Sequence, residues 1–253
     1  MISKQIKSGI IASLITSVLV LGASWSLAQA PAVASPAVAK EKLVLCWYMV
    51  CFGNSLERYK QEIELAQRNG IDGFLLDVGA WTSNKNYITS TETIYRAAKE
   101  LDSGFKLAMA PEYSVQPFAE EVCDMVLRFK DHPNQLYHDG KPVLSGYAGV
   151  NMFPGAVEAL EAKGVDVCLV PSAHMPRWIY NPRYESYADQ FTTAPCLDGL
   201  MIFNANSLGN NVSNNATARR VTQKLNKILG AGVIPAYNSA NLQDYRGLSG
   251  YLD

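Results

Sequence analysis

From residue 43 onward, short apolar runs alternate with segments whose apolar residues recur every three or four positions. Leu43 to Val50 is a continuous apolar run and predicts a buried strand. Leu56, Tyr59, Ile63 and Ala66 follow at helical spacing, so a helix is expected over Leu56 to Asn69, stopped by Gly70. The same alternation repeats along the chain. Strands are expected over Asp72–Val78, Phe105–Ala110, Pro142–Gly146, Val165–Val170, Asp198–Asn204 and Val233–Tyr237. Helices are expected over Ser90–Leu101, Pro117–Lys130, Phe153–Lys163, Tyr184–Phe191 and Ala216–Leu229. Ser90-Thr-Glu-Thr supplies cap-type residues, and Phe118, Val122, Met125, Val126 and Phe129 share one side of their helix.

Strands alternating with helices imply parallel pairing and right-handed crossovers. Strands apolar almost throughout are expected where both faces of a sheet are covered. A doubly wound sheet and a (β/α) barrel both satisfy this pattern. No glycine-rich phosphate loop follows the first strand, which counts against a nucleotide-binding sheet. A repeat of roughly 30 residues suits a barrel of ~250 residues. The expected fold class is therefore α/β, a (β/α)8 TIM-type barrel. About seven strands can be counted, so the barrel is expected to be incomplete, with its last β/α unit missing.

The N-terminus does not belong to this pattern. Lys4 and Lys7 precede an apolar stretch from Ile10 to Leu27, and Ala28-Gln29-Ala30 is a small-x-small cleavage site. This predicts a signal peptide over residues 1–30, a short leader over 31–40, and the truncated (β/α) barrel over 41–253. The expected location is secreted, extracellular or periplasmic, with no membrane association after cleavage. A formal net charge of −1 leaves no basic excess to neutralise phosphates, so no nucleic-acid partner is expected. The five cysteines (Cys46, Cys51, Cys123, Cys168, Cys196) match no zinc or redox spacing.

Function in a barrel sits at the C-terminal ends of the strands. The residues expected there are polar and aromatic: Asp77 and Trp81; Glu112 and Tyr113; Tyr147; His174 and Trp178; Asn204; Tyr237 and Asn238. Such a set suits a carbohydrate. Hydroxyls need donors and acceptors, and pyranose C–H faces need flat apolar partners. Asp77 and Glu112 are the candidate acid/base pair, because glycoside hydrolysis uses two carboxyls flanking the bond. The competing reading is that they bind sugar hydroxyls. His174 has no second histidine or cysteine at ligand spacing, so a substrate hydrogen bond is expected rather than a metal. No Gly-x-Ser-x-Gly elbow supports a serine nucleophile.

These segments also carry a resemblance. CWYMVCFGNSLERYKQEIELAQRNGIDGFLLDVG, FKLAMAPEY, YHDGKPVLSGYAG, VCLVPS, LDGLMIFNANS and VIPAYNSANLQDYRG follow one another in the order shown by glycoside hydrolase family 71, the α-1,3-glucanases or mutanases. Family 99-like endo-mannosidases are the near neighbours. The resemblance implies a barrel, an α-glucan polysaccharide substrate and hydrolysis without metal or cofactor. It also implies acid/base carboxylates on a Trp-Asn-Asp…Glu segment at the end of the last strand, which does not occur in this sequence. The family's catalytic pair is therefore expected beyond Asp253, and Asp77 and Glu112 are expected to bind substrate. Where the family commonly has Asp before the tyrosine of the third strand, this chain has Glu112. The expected function is endo-hydrolysis of α-1,3-glucan. A non-catalytic or degenerate carbohydrate-binding barrel is the alternative.

Overall fold

The structure is a computed structural model and describes residues 42–173, 187–203 and 208–232. Among these residues eight strands are formed: β1 (Leu45–Met49), β2 (Gly73–Val78), β3 (Lys106–Pro111), β4 (Tyr137–His138), β5 (Lys141–Leu144), β6 (Cys168–Leu169), β7 (Gly199–Met201) and β8 (Ile228–Gly230). Six α-helices lie between them: α1 (Leu56–Arg68), α2 (Lys85–Leu101), α3 (Phe118–Phe129), α4 (Phe153–Glu161), α5 (Tyr187–Thr193) and α6 (Leu208–Lys224).

β1, β2, β3, β5 and β6 pair in parallel in that order, and β7 pairs in parallel with β8. Met201 N donates to Pro171 O at 2.8 Å and Ala173 N to Met201 O at 2.7 Å, which joins the end of β6 to β7. All described strands except β4 therefore form one parallel succession, the wall of an incomplete (β/α) barrel.

Strand parity separates two cores. Phe74, Leu76 and Val78 of β2, with Leu107 and Met109 of β3, face the helices in the larger cluster. The intervening Leu75, Ala108 and Ala110 face inward with Leu136, and Leu45, Trp47, Val143 and Met201 pack on them. The inner positions of β3 are alanines, so the interior is narrow and leaves its upper layer to larger polar and aromatic side chains.

Several element bounds differ from the expectation, each for a physical reason. Helix α2 begins at Lys85 rather than Ser90, because the Asn84 side chain caps it by accepting from Asn86 N at 3.2 Å. The β4–β5 hairpin was not expected. It turns through Asp139 and Gly140, with φ of 48° and 79°, an Asp-Gly pair suited to a tight hairpin. Helix α6 spans Leu208–Lys224 rather than Ala216–Leu229, and Ile228–Gly230 is strand. Three backbone pairings to β7 outweigh helical continuity there. The expected strand Val233–Tyr237 lies outside the described residues.

One glycine marks a tight approach. A Cβ on Gly146 would meet Phe153 Cζ at 2.6 Å and the Pro111 carbonyl oxygen at 2.9 Å, and Phe153 is fully buried against Phe118. Gly146→Ala is expected to lose about 1–3 kcal/mol through overpacking, read as a lower urea midpoint at an unchanged m-value. Unchanged stability would show that this corner yields.

Candidate functional site

The period of two that builds the inner core continues upward to the mouth. Asp77 lies two positions after Leu75 on β2, and Glu112 two after Ala110 on β3. Glu112 N donates to Val78 O at 2.9 Å, so β3 stays paired past its formal end. Glu112 then bridges to Tyr147 in parallel; Tyr113 N donates to Tyr147 O at 3.1 Å and Tyr147 N to Pro111 O at 2.9 Å. The backbone thus carries Asp77, Glu112, Tyr113 and Tyr147 to one end of the wall.

Asp77 is 8% exposed, and its Oδ1 has no hydrogen-bond partner among the described residues. The Trp47 indole and the Glu112 carboxyl both act on the Asp77 carboxyl. Burial pushes Asp77 up to about 7; the indole N–H works against that, and the negative charge of Glu112 adds to it. Ser114 Oγ lies 2.7 Å from Gly79 O, to which it donates, and 3.2 Å from Glu112 Oε2. A Cβ at Gly79 would come within 3.0 Å of the Tyr87 hydroxyl and 3.4 Å of Glu112 Oε2, so glycine leaves room for both groups. Cys51, exposed on the 3-10 turn Val50–Phe52, feels the charges of Asp77 and Glu112, and burial is the main cause that raises its thiol.

Aromatic rings stand beside the carboxyls. Trp47 meets Tyr147 edge-on at 6.4 Å and Phe203 at 5.3 Å, and Tyr147 meets Phe203 at 5.2 Å. Tyr147 is 42% exposed and Phe203 36%, so both rings reach solvent. Tyr113 is also exposed. The arrangement offers carboxyl oxygens next to apolar ring surface. That pairing recognises a neutral polyhydroxylated ring.

Of the expected site residues, Asp77, Glu112, Tyr113 and Tyr147 are brought to the mouth. Trp81 is not, and its assignment to the substrate is corrected. It is 1% exposed, donates from Nε1 to Asp124 Oδ2 at 2.7 Å, packs edge-on against Phe129, and lies under the Arg128 guanidinium. The following Thr82 is held by Glu121 of α3, which accepts from Thr82 N at 3.0 Å, and this draws the loop after β2 onto the helix layer. His174, Trp178, Asn204, Tyr237 and Asn238 lie outside the described residues. So does Asp253, and with it the catalytic pair that the family resemblance places beyond that residue. Trp47, Cys51, Tyr87 and Phe203 were missed. Parity within the strands was the available signal for two of them: Trp47 follows Leu45, and Phe203 follows Met201, each by two.

Among the described residues no group of three or more His, Cys, Asp or Glu side chains could hold a metal ion, and all five cysteines are free. No described helix is long and apolar enough to cross a membrane.

A parallel barrel wall whose mouth sets carboxyls beside exposed rings defines a protein able to hold a polyhydroxylated ring, and likeness to known proteins narrows it. The model of glycosyl hydrolase family 71 matches residues 40–238, and the chain belongs to that family. It is 34% identical over 114 residues to a glucan endo-1,3-alpha-glucosidase of Schizosaccharomyces pombe; the match spans 43% of this chain and 26% of that protein. Among solved structures, two of the GH99 endo-alpha-mannosidase from Bacteroides thetaiotaomicron are similar. One has a TM-score of 0.64 at 16% identity, covering 82% of this chain and 74% of that one. The other has a TM-score of 0.59 at 18% identity, covering 76% and 57%. At these identities the likeness concerns the barrel fold.

Proposed function

We propose that this chain is an exported glycoside hydrolase-type domain whose mouth binds α-1,3-glucan for endo-hydrolysis. The observation that carries the reading is the juxtaposition of Asp77 and Glu112 with the exposed rings of Tyr147 and Phe203. Family membership and the identity to a glucan endo-1,3-alpha-glucosidase support the substrate class. The charged, then apolar, then small-residue order of residues 1–30 supports export.

Asp77 and Glu112 bind substrate in this reading. The resemblance to the family places the acid/base pair on another segment, which leaves Asp77 and Glu112 to hold sugar hydroxyls. The exposed rings of Tyr147 and Phe203 beside Asp77 equally suit a second reading, a barrel that binds α-glucan without turnover. Both are tested on the full chain by retention on insoluble α-1,3-glucan and by release of reducing ends. Retention with release supports the hydrolase, and retention without release supports the binding barrel. Passage through α-1,3-glucan without retention or release overturns both.

A further inference from the structure

We propose that the space over Gly79 is a hydroxyl-binding recess of the mouth, in which Tyr87 and Glu112 grip one hydroxyl of a neutral sugar and the missing side chain of Gly79 leaves the room. The proposal rests on the reading of the mouth as a glucan site and adds Tyr87, Gly79 and Ser114 to that site. A Cβ on Gly79 would lie 3.0 Å from the Tyr87 hydroxyl and 3.4 Å from Glu112 Oε2, so the phenol and the carboxyl converge on one small space from two separate elements. A carbon is crowded at such distances, whereas a hydroxyl oxygen is held by hydrogen bonds of about 2.7–3.0 Å. The Tyr87 hydroxyl has no hydrogen-bond partner among the described residues, and unlike Asp77 Oδ1 it is open to solvent.

Local structure brings these groups together. The Asn84 side chain caps α2, and Tyr87 N donates to Asn84 O at 3.1 Å, which fixes Tyr87 in the first turn of the helix. Ser114 Oγ donates to Gly79 O at 2.7 Å and lies 3.2 Å from Glu112 Oε2, so it ties the loop after β3 to the end of β2. Ser114 has one proton, and the nearer Gly79 carbonyl takes it, which leaves Glu112 Oε2 able to accept from a ligand. Tyr87 has one phenolic proton to donate. A sugar hydroxyl is donor and acceptor at once, so it gives its proton to Glu112 and accepts one from Tyr87. An apolar group satisfies neither. Tyr147 bridges to Glu112 along the backbone and its ring is exposed, so apolar surface for the sugar ring stands beside the same carboxyl.

Calorimetry on the full chain with an α-1,3-linked gluco-oligosaccharide tests this. Tyr87→Phe removes only the hydroxyl and is expected to lower affinity about tenfold. Glu112→Gln is expected to weaken binding at least as much. The double variant is expected to lose less than the product of the two single losses, because both side chains hold one hydroxyl. Gly79→Ala is expected to lose about tenfold or more by filling the recess, at a urea midpoint near wild type, since its Cβ meets side-chain tips alone. The Tyr87 and Glu112 cycle decides the matter even where Gly79→Ala fails to fold. Wild-type affinity in Tyr87→Phe, or in a folded Gly79→Ala, overturns the recess. Losses that multiply in the double variant overturn the shared hydroxyl. A folded wild type that binds no α-1,3-linked oligosaccharide overturns the glucan reading itself and takes the recess's ligand with it, a result distinct from variants that bind as wild type does.

Discussion

Trp81→Ala is expected to lower the stability of the barrel by about 3–5 kcal/mol, the range for emptying a buried indole site. The ring is 1% exposed, meets Phe129 edge-on at 6.4 Å, and lies 5.8 Å below the Arg128 guanidinium. Removing it leaves a cavity between β2 and α3 and takes from Asp124 its indole donor. Trp81→Phe keeps most of the ring volume and loses only the 2.7 Å bond to Asp124, so a loss of about 1 kcal/mol is expected. Asp124 retains a partner, since Arg128 reaches it at 3.4 Å. Urea unfolding of both variants measures these losses, and glucan affinity of the folded fraction is expected to stay near wild type. A stable Trp81→Ala that had lost glucan affinity would return Trp81 to the site.

Trp47→Ala is expected to weaken glucan binding by about 2 kcal/mol, roughly thirtyfold, the scale of a central aromatic anchor. Trp47 holds Tyr147 and Phe203 in edge and tilted contacts, and its indole N–H favours the ionised form of Asp77. Its loss removes the support behind both exposed rings. Trp47→Phe separates the two roles. It keeps an aromatic support but deletes the N–H that favours ionised Asp77, so Asp77 is expected to titrate above its wild-type value. The sign for stability follows. Asp77 binds its proton more tightly folded than unfolded, so its contribution is present at low pH and is lost as pH rises from about 4 towards about 7. The Trp47→Phe loss is expected to extend to higher pH. Denaturation midpoints across that range measure it, and a midpoint curve superimposable on wild type would show that the indole does not govern Asp77.

Much of this molecule was legible along the chain. The apolar runs located the strands, because a wall covered on both faces excludes polar residues except at its ends. Asp77 breaks the run GFLLDV at its penultimate position, and Glu112 follows KLAMAP immediately. A carboxylate there is conspicuous for the same reason that it is costly. The Asp139-Gly140 turn was also readable but was passed over, since its strands are too short to show a period.

Trp81 shows where such reading stops. A tryptophan three residues past a strand looks the same whether its loop rises over the mouth or folds back on the helices. Glu121, far along the chain on α3, decides the matter by binding Thr82 and turning the ring inward. Likewise α6 and β8 exchanged residues relative to the local pattern, because Ile228–Gly230 gains strand partners on β7 that no neighbouring residue announces.

By itself, then, the sequence determined the alternation of strand and helix, the parity that lifts Asp77 and Glu112 to one end, and the family. These depend on local periodicity and on residue order. Only the tertiary structure decided that Trp81 is core, that Trp47 and Phe203 flank Tyr147, and that the Asp77 carboxyl is buried with an unpartnered oxygen. Each of those depends on distances between segments remote in the chain, which are set by strand register and loop anchoring rather than by any residue's neighbours.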